Sequence, residues 1–430
     1  MGRRKRSLWL LASVLLGGVL LTTGGWYRGG RASAATTGGG DAISRFLARH
    51  WVNPLPPEGP PPANFSPLEA SLSPASCGKC HQQQYQDWRT SIHSHSIDFG
   101  ILWQFRIMTQ AQANKCMRCH TPLAEQKALA ALEFHWPGVP SSPRPAYVSP
   151  DLFHRGLVCA GCHVRHHHRF GPPPSPGMPA GNTPGLPHDG FTASRAFLSS
   201  RFCATCHQFP AGGPSLNGKL FENTYNEWRA SRYAREGVTC QKCHMPHRRH
   251  LWRGIHDPAM VRQGLGISLQ LKRDSRTAAA ARVVIRSKAV GHDFPTYMVP
   301  KVYVRLYAFD ARGRGRLLAR KTIGRTVNVA LNRELSDTRI PPGGSSSLSA
   351  HFAMPAKSAE RVELVIDVAP EEHYERMFRH ELSQPRKYDP TTEELLRDAL
   401  AQAVTTRYRL VQLVAAVPSR IGQSVRKVAN

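Results

Sequence analysis

The chain has 430 residues, 41% hydrophobic and 20% charged, which is enough for two or three domains with a sizeable core; its formal net charge is +28. A surplus of that size points to nucleic acid, an anionic membrane or acidic partners, and nucleic acid is a poor fit because the chain shows no nucleic-acid motif. All ten cysteines fall into one repeated pattern, which excludes a disulfide framework, a cysteine nucleophile and a separate cysteine metal site.

Residues 1–34 read as an export signal. The basic cluster Arg3-Arg4-Lys5-Arg6 precedes an uncharged stretch from Ser7 to Tyr27, and Ala32-Ser33-Ala34 offers a small-residue cleavage site. At about 20 residues the uncharged stretch is also just long enough to serve as a membrane anchor. In both cases the basic end stays on the cytoplasmic side, so the rest of the chain is expected in the periplasm or another extracytoplasmic space. Residues 35–75 are rich in Gly and Pro and are expected to form a linker, or an extended segment lying along the surface, after a short helix over 42–51.

From 76 to about 265 the pattern Cys-x-x-Cys-His occurs five times. The copies are Cys77/Cys80/His81, Cys116/Cys119/His120, Cys159/Cys162/His163, Cys203/Cys206/His207 and Cys240/Cys243/His244. Two thiols on one turn match the two vinyl groups of one haem, and the adjacent histidine reaches its iron as an axial ligand. Paired cysteines with histidine also bind zinc. With 21 histidines in the chain, chance would place His after all five pairs with a probability on the order of 10⁻⁷, and zinc does not require that position. Five covalently attached haem c groups are therefore expected. At about 34 residues each they cannot be wrapped separately in apolar core, so the haems themselves are expected to pack as core. Loss of residues 1–34 would lower the charge to +22. Ten haem propionates and five ferric centres would bring the oxidised protein to about +17.

Two internal echoes run through this region. Tyr85-Gln-Asp-Trp88-Arg-Thr-Ser91 recurs as Tyr225-Asn-Glu-Trp228-Arg-Ala-Ser231, and Gly156-Leu-Val-Cys159 as Gly237-Val-Thr-Cys240, which suggests that motifs two and three duplicate four and five. A helix is expected from the first motif to about residue 96, with Tyr85, Trp88 and Ile92 on one face.

Residues 266–369 change character. Seven short, alternating or β-branched segments, at 267–271, 281–285, 302–309, 317–321, 326–329, 347–352 and 362–368, predict an antiparallel, immunoglobulin-like sandwich. The segment 370–430 is expected to be helical, with helices over 371–382 and 391–417. The second is opened by a Thr391-x-x-Glu394 capping box and docks an apolar face, Leu395, Leu396, Ala399, Leu400, Ala403 and Val404, on the body of the protein. The fold class is thus a mainly α, irregular multihaem domain followed by an all-β sandwich and C-terminal helices.

The first motif followed by Tyr85, Trp88, Ser91 and His93 resembles the opening of multihaem cytochromes c related to cytochrome c-554 and hydroxylamine oxidoreductase. Cys203-Ala-Thr-Cys206-His207-Gln-Phe and Cys240-Gln-Lys-Cys243-His244-Met-Pro extend the resemblance over most of residues 76–260. The resemblance implies that haems stack in near-parallel or perpendicular pairs and that His93 is a distal ligand to a neighbouring haem. A helix rising about 1.5 Å per residue carries His93 too far from His81 to share its iron.

Sixteen histidines lie outside the motifs, so counting does not assign the remaining axial positions. Candidate distal ligands are His93, with His95 as the fallback, and His188, His256, His292, His154 and His250. His292 lies in Gly291-His-Asp-Phe-Pro-Thr296, a turn between two predicted strands from which the sandwich could insert a ligand. In the second echo Tyr233 stands where His93 stands in the first, so an open haem position is one alternative. The expected function is an exported pentahaem electron carrier of a respiratory chain, with mostly bis-histidine haems and redox partners that are acidic at the docking site. The alternative is an oxidoreductase acting on a small nitrogen or sulfur compound at one five-coordinate haem.

Overall fold

The structure is a computed structural model and describes residues 41–175, 181, 185–354, 361–384 and 387–429. The export signal or anchor expected over 1–34 lies outside the described residues. The described part of the 35–75 segment packs as an ordered surface strip. Asp41 caps α1 (Ala42–His50) by accepting from the Ser44 amide at 3.0 Å, and His50, Leu55 and Leu72 are buried.

The haem-motif region consists of short helices joined by turns. Among them are α2 (Gln82–Arg89), α3 (Phe99–Ile107), α4 (Gln110–His120), α5 (Ala124–Glu133), α6 (Cys159–His163), α7 (Thr224–Ala230) and α8 (Cys240–His244). Asp98 caps α3, and Thr109 with Gln112 forms a capping box on α4, satisfying the free amides of each first turn. The helix expected to reach residue 96 stops at Arg89. Thr90, Ser91 and Ser94 turn their hydroxyls back onto the carbonyls of Asp87, Trp88 and Ser91, a local competition that ends helices, and a 3₁₀ turn, Ile92–His95, follows. After α6 a small hairpin forms from β1 (Val164–Arg165) and β2 (His168–Gly171).

The second region is a sandwich of two four-stranded antiparallel sheets. Its strands are β3 (Leu265–Arg273), β4 (Ala278–Ser287), β5 (Lys301–Phe309), β6 (Gly315–Ile323), β7 (Arg325–Val327), β8 (Glu334–Asp337), β9 (Ser345–Ala353), β10 (Arg361–Ala369), β11 (Tyr408–Ala416) and β12 (Ser424–Ala429). One sheet runs β9-β4-β3-β12 and the other β11-β10-β5-β6, with β7 and β8 forming a separate ribbon. Strict alternation places Ile267, Leu269, Leu271, Val283 and Ile285 of one sheet against Val304, Leu306, Leu364 and Ile366 of the other. All seven expected strands are present.

The expectation of an all-helical 370–430 segment is corrected. Helices α9 (Glu372–Leu382) and α10 (Pro390–Thr405) form, but the second ends at Thr405, and residues 408–416 and 424–429 become edge strands of the two sheets. Tyr408-Arg-Leu-Val-Gln-Leu-Val is β-branched and alternating, and pairing with the long β10 outweighs the helical continuation. The cap of α10 is Asp389 rather than Thr391, accepting from the Thr392 amide at 3.1 Å. The helix docks as its apolar face requires. Leu396, Ala399 and Ala403 bury with Trp103, Met377 and Phe378, whereas Val404 stays exposed.

Buried charge joins the two regions. Arg325 in β7 donates to the carbonyls of Leu216, Lys219 and Leu220 and pairs with Glu334, and Arg339 pairs with Glu227 of α7 at 2.8 Å.

Candidate haem sites

The two echoes are equivalent down to single hydrogen bonds. The Trp88 indole donates to the Leu157 carbonyl at 2.8 Å and the Trp228 indole to the Val238 carbonyl at 2.9 Å. The Leu157 amide donates to the His93 carbonyl at 2.9 Å and the Val238 amide to the Tyr233 carbonyl at 2.8 Å. Gly156 and Gly237, at φ 62° and 67°, turn the chain into α6 and α8, each of which carries one complete Cys-x-x-Cys-His. Tyr233 therefore occupies the backbone position of His93. Its hydroxyl donates to the Lys288 carbonyl at 3.0 Å, and its ring packs against Gly291, the residue before His292.

The ten cysteines are unbridged. The thiols of Cys77 and Cys159 lie side by side, as do those of Cys119 and Cys206 and of Cys203 and Cys240. Motif one thus neighbours motif three, and motif four neighbours both two and five.

Three motif histidines have a second imidazole across from them. His207 and His93 have ring centres 6.2 Å apart, His163 and His250 6.2 Å, and His244 and His292 6.4 Å. Two imidazoles on opposite faces of one metal, each bonded at about 2 Å with its ring centre roughly 1.15 Å behind the nitrogen, have centres roughly 6.3 Å apart. The spacing fits an iron between each pair. His81 has His188 as a neighbour; burial, and then the charge His188 would carry, hold His81 below the usual histidine range.

Hydrogen bonds at the other ring nitrogen sort the histidines. A ligating histidine normally uses one nitrogen on a backbone or carboxylate partner, which fixes the ring and leaves the other for the metal. Nδ1 of His120, His163, His244, His250, His292 and His188 bonds to the carbonyls of Ser96, Phe170, Arg253, Arg248, Asp293 and Gly190, at 2.6–3.0 Å, leaving Nε2 free. His256 and His154 do the reverse, using Nε2 on Glu371 and Glu133, both at 2.7 Å. His154 is moreover an exposed ion-pair residue. Burial takes His93 down to about 3 and His163 and His244 down to about 4, which keeps them neutral, as a metal ligand must be.

The opposite imidazoles are held by residues that the sequence did not single out. Asp87, buried on α2, takes a two-pronged bond from Arg249 at 2.7 Å on each prong and accepts from the His250 amide at 3.0 Å. Glu227 on α7 accepts from the Asp293 amide at 3.2 Å and the Thr296 hydroxyl at 3.1 Å, pinning the loop that carries His292. Trp252 lies edge-on to both His93 and His250, at 4.8 and 5.0 Å, and so joins two of the pairs. Asp87 and Glu227 are the acidic residues of the two Tyr-x-acid-Trp echoes, so repetition was their available signal. Nothing in the sequence marks Trp252.

His120 differs from the paired histidines. Among the described residues no imidazole ring lies opposite it at the spacing of the other pairs. Asp98 is close to His120 and to Glu371, and burial, reinforced by the charge of Glu371, holds the Tyr374 and Tyr297 phenols well above their usual range. A surface cleft of about 250 Å³ between α3 and α10 is lined by Arg106, Glu133, Glu394 and Asp398 and by none of the motif residues.

The chain is similar to known proteins in part of its sequence and in its fold. Residues 76–139 match the family described as cytochrome c554 and c-prime. The fold is similar to the crystal structure of a penta-haem cytochrome c552 from Thermochromatium tepidum, with a TM-score of 0.56 and 19% identity over 82% of this chain and 100% of that one. No curated protein matches the chain. The family match spans the first two Cys-x-x-Cys-His motifs, and the likeness to the solved structure is one of fold.

Proposed function

We propose that the chain is an exported pentahaem electron carrier whose haems are mostly bis-histidine. The observation that carries this reading is the set of three histidine pairs at 6.2–6.4 Å, each joining a motif histidine to a distant one. In this reading Cys77 and Cys80, Cys116 and Cys119, Cys159 and Cys162, Cys203 and Cys206, and Cys240 and Cys243 hold the haems. His81, His120, His163, His207 and His244 are the first axial ligands. His188, His250, His93 and His292 are the second ligands of the haems on His81, His163, His207 and His244. Bound haem supplies one-electron chemistry, and the chain sets its potential through ligand type, burial and nearby charge.

The immunoglobulin-like sandwich acts as a ligand donor through His292 and as a docking surface. On the outer face of its first sheet Arg282 and Arg426 flank Gln270 in one row, with Arg286 further along β4, and none of the three arginines has an ion-pair partner among the described residues. That face suits a respiratory partner with an acidic docking site. Delivery to the periplasm, with or without an N-terminal anchor, follows from the character of residues 1–34.

One observation favours the enzyme reading. Among the described residues His120 has neither a facing ring nor a histidine neighbour such as His81 finds in His188, and Asp98, Glu371, Tyr374 and Tyr297 would give its haem nearby proton donors. Turnover separates the two readings. The holoprotein, reduced with dithionite and freed of excess, is mixed with nitrite or hydroxylamine. A carrier stays reduced; reoxidation with loss of the added compound would establish the enzyme.

A further inference from the structure

A second group of buried polar side chains lies beside the third motif and ligates nothing. The Glu58 amide donates to Oε1 of Glu125 at 2.7 Å, and the His167 amide donates to Oε2 of Glu58 at 2.7 Å. Glu58, Glu125 and His167 are only 4%, 7% and 1% exposed. His167 gives its Nε2–H to the Gly59 carbonyl at 3.0 Å, and Tyr147 lies edge-on to its ring at 4.8 Å. Two polar atoms in this group are buried with no partner, Oε2 of Glu125 and Nδ1 of His167.

The nearby cations are engaged elsewhere. Arg165 donates to the carbonyls of His50, Ala160, Gly161 and Val164, and Arg169 to those of His167 and Glu69. His166 completes the charged groups facing Glu58. No ion pair reaches either carboxyl among the described residues. Burial pushes both carboxyls up, and at Glu125 the charge of Glu58 adds to the effect.

The cluster is coupled mechanically and electrostatically to the third motif. The β1–β2 hairpin whose turn carries His167 also carries the Phe170 carbonyl that receives the Nδ1–H of His163 at 2.7 Å. Arg165, which faces Glu58, lies along α6 and also faces Cys162. A change of charge at one end is therefore felt at the other.

We propose that Glu58 and Glu125 share one proton, taken up when the haem held by Cys159 and Cys162 gains an electron and released when it loses it. The electron comes from a reduced partner protein. The proton comes from solvent and forms an O–H bond at a carboxyl oxygen, for which Oε2 of Glu125 is open; no other bond breaks. This makes the protein a carrier of protons together with electrons at one of its haems. The proposal rests on haem attachment at the third motif, which a pyridine haemochrome count on the same sample tests separately.

The sign follows from charge. Reduction adds one negative charge near the pair and raises its proton affinity. The midpoint of that haem therefore falls as pH rises between the pair's oxidised-state and reduced-state values, a window above the ordinary glutamate range. Potentiometric titration of the full holoprotein between about pH 5 and pH 9 should resolve one component that falls by up to about 59 mV per pH unit, the value for one proton per electron. In Glu125→Gln and Glu58→Gln that slope should vanish while the other components keep theirs. The reduced-minus-oxidised infrared spectrum should gain a protonated-carboxyl band that Glu125→Gln removes, a readout that stands even if Glu58→Gln does not fold. A slope and band that survive Glu125→Gln, or a wild-type protein lacking the band, would overturn the proposal.

Discussion

Replacing Glu227 by Ala tests whether the sandwich holds an axial ligand in place. The Glu227 carboxylate receives Arg339 at 2.8 Å, the Asp293 amide at 3.2 Å and the Thr296 hydroxyl at 3.1 Å, with Glu227 and Arg339 side chains 8% and 10% exposed. Breaking a buried pair by removing one partner costs about 3–5 kcal/mol. Arg339 retains Asp337 at 2.9 Å, so the lower end applies. About 3 kcal/mol shifts the balance between docked and undocked 288–300 loop by roughly 100-fold, because each 1.4 kcal/mol is tenfold. Cyanide enters a six-coordinate haem through its ligand-free state, so one haem in Glu227→Ala should bind cyanide about 100-fold faster than in the wild type, with a high-spin signal growing in parallel. Glu227→Gln, which keeps one acceptor oxygen, should fall between. A folded Glu227→Ala protein with unchanged spin state and cyanide kinetics would show that this loop does not hold His292 on a haem.

Replacing His93 by Ala should convert one low-spin haem to high spin without loss of haem, and added imidazole should restore it, read by near-infrared magnetic circular dichroism. Asp87→Asn should weaken the bond to Arg249 by about 1.5–3 kcal/mol, as for hydrogen bonds between charged groups, and release His250, seen as lower thermal stability and a second high-spin haem. The Arg249 guanidinium holds the Asp87 carboxyl below the usual aspartate range. Its contribution is therefore complete above that range and lost as pH falls through the depressed value, so wild type and Asp87→Asn should converge in stability at strongly acid pH. If the haem on His120 is open, Tyr374→Phe should slow any reoxidation by hydroxylamine while leaving dithionite reduction unchanged; equal rates would remove Tyr374 from proton supply.

Much of this arrangement was legible in the sequence because it depends on local patterns. The five motifs are fixed by covalent chemistry within five residues, and the sandwich strands announce themselves by alternation at positions such as Ile267, Leu269 and Leu271. The Trp88 and Trp228 echoes likewise pointed to two equivalent units, and the structure gives the two indoles corresponding backbone acceptors, Leu157 and Val238. What the sequence hid is long-range. His207 meets His93 across more than a hundred residues, and His163 meets His250 on a turn that Asp87 anchors. His256 and His154 look like free histidines in sequence, yet carboxylates 115 and 21 residues away bind their Nε2. Residues 408–416 follow a helix without a Gly or Pro stop, so only their pairing with β10 reveals a strand.

Low-temperature electron paramagnetic resonance of the oxidised holoprotein, quantified against a pyridine haemochrome count, tests the central claim most directly. Five haems per chain are expected, low-spin throughout except at most the single haem on His120. A count below five, or high-spin signal from two or more haems, would contradict it.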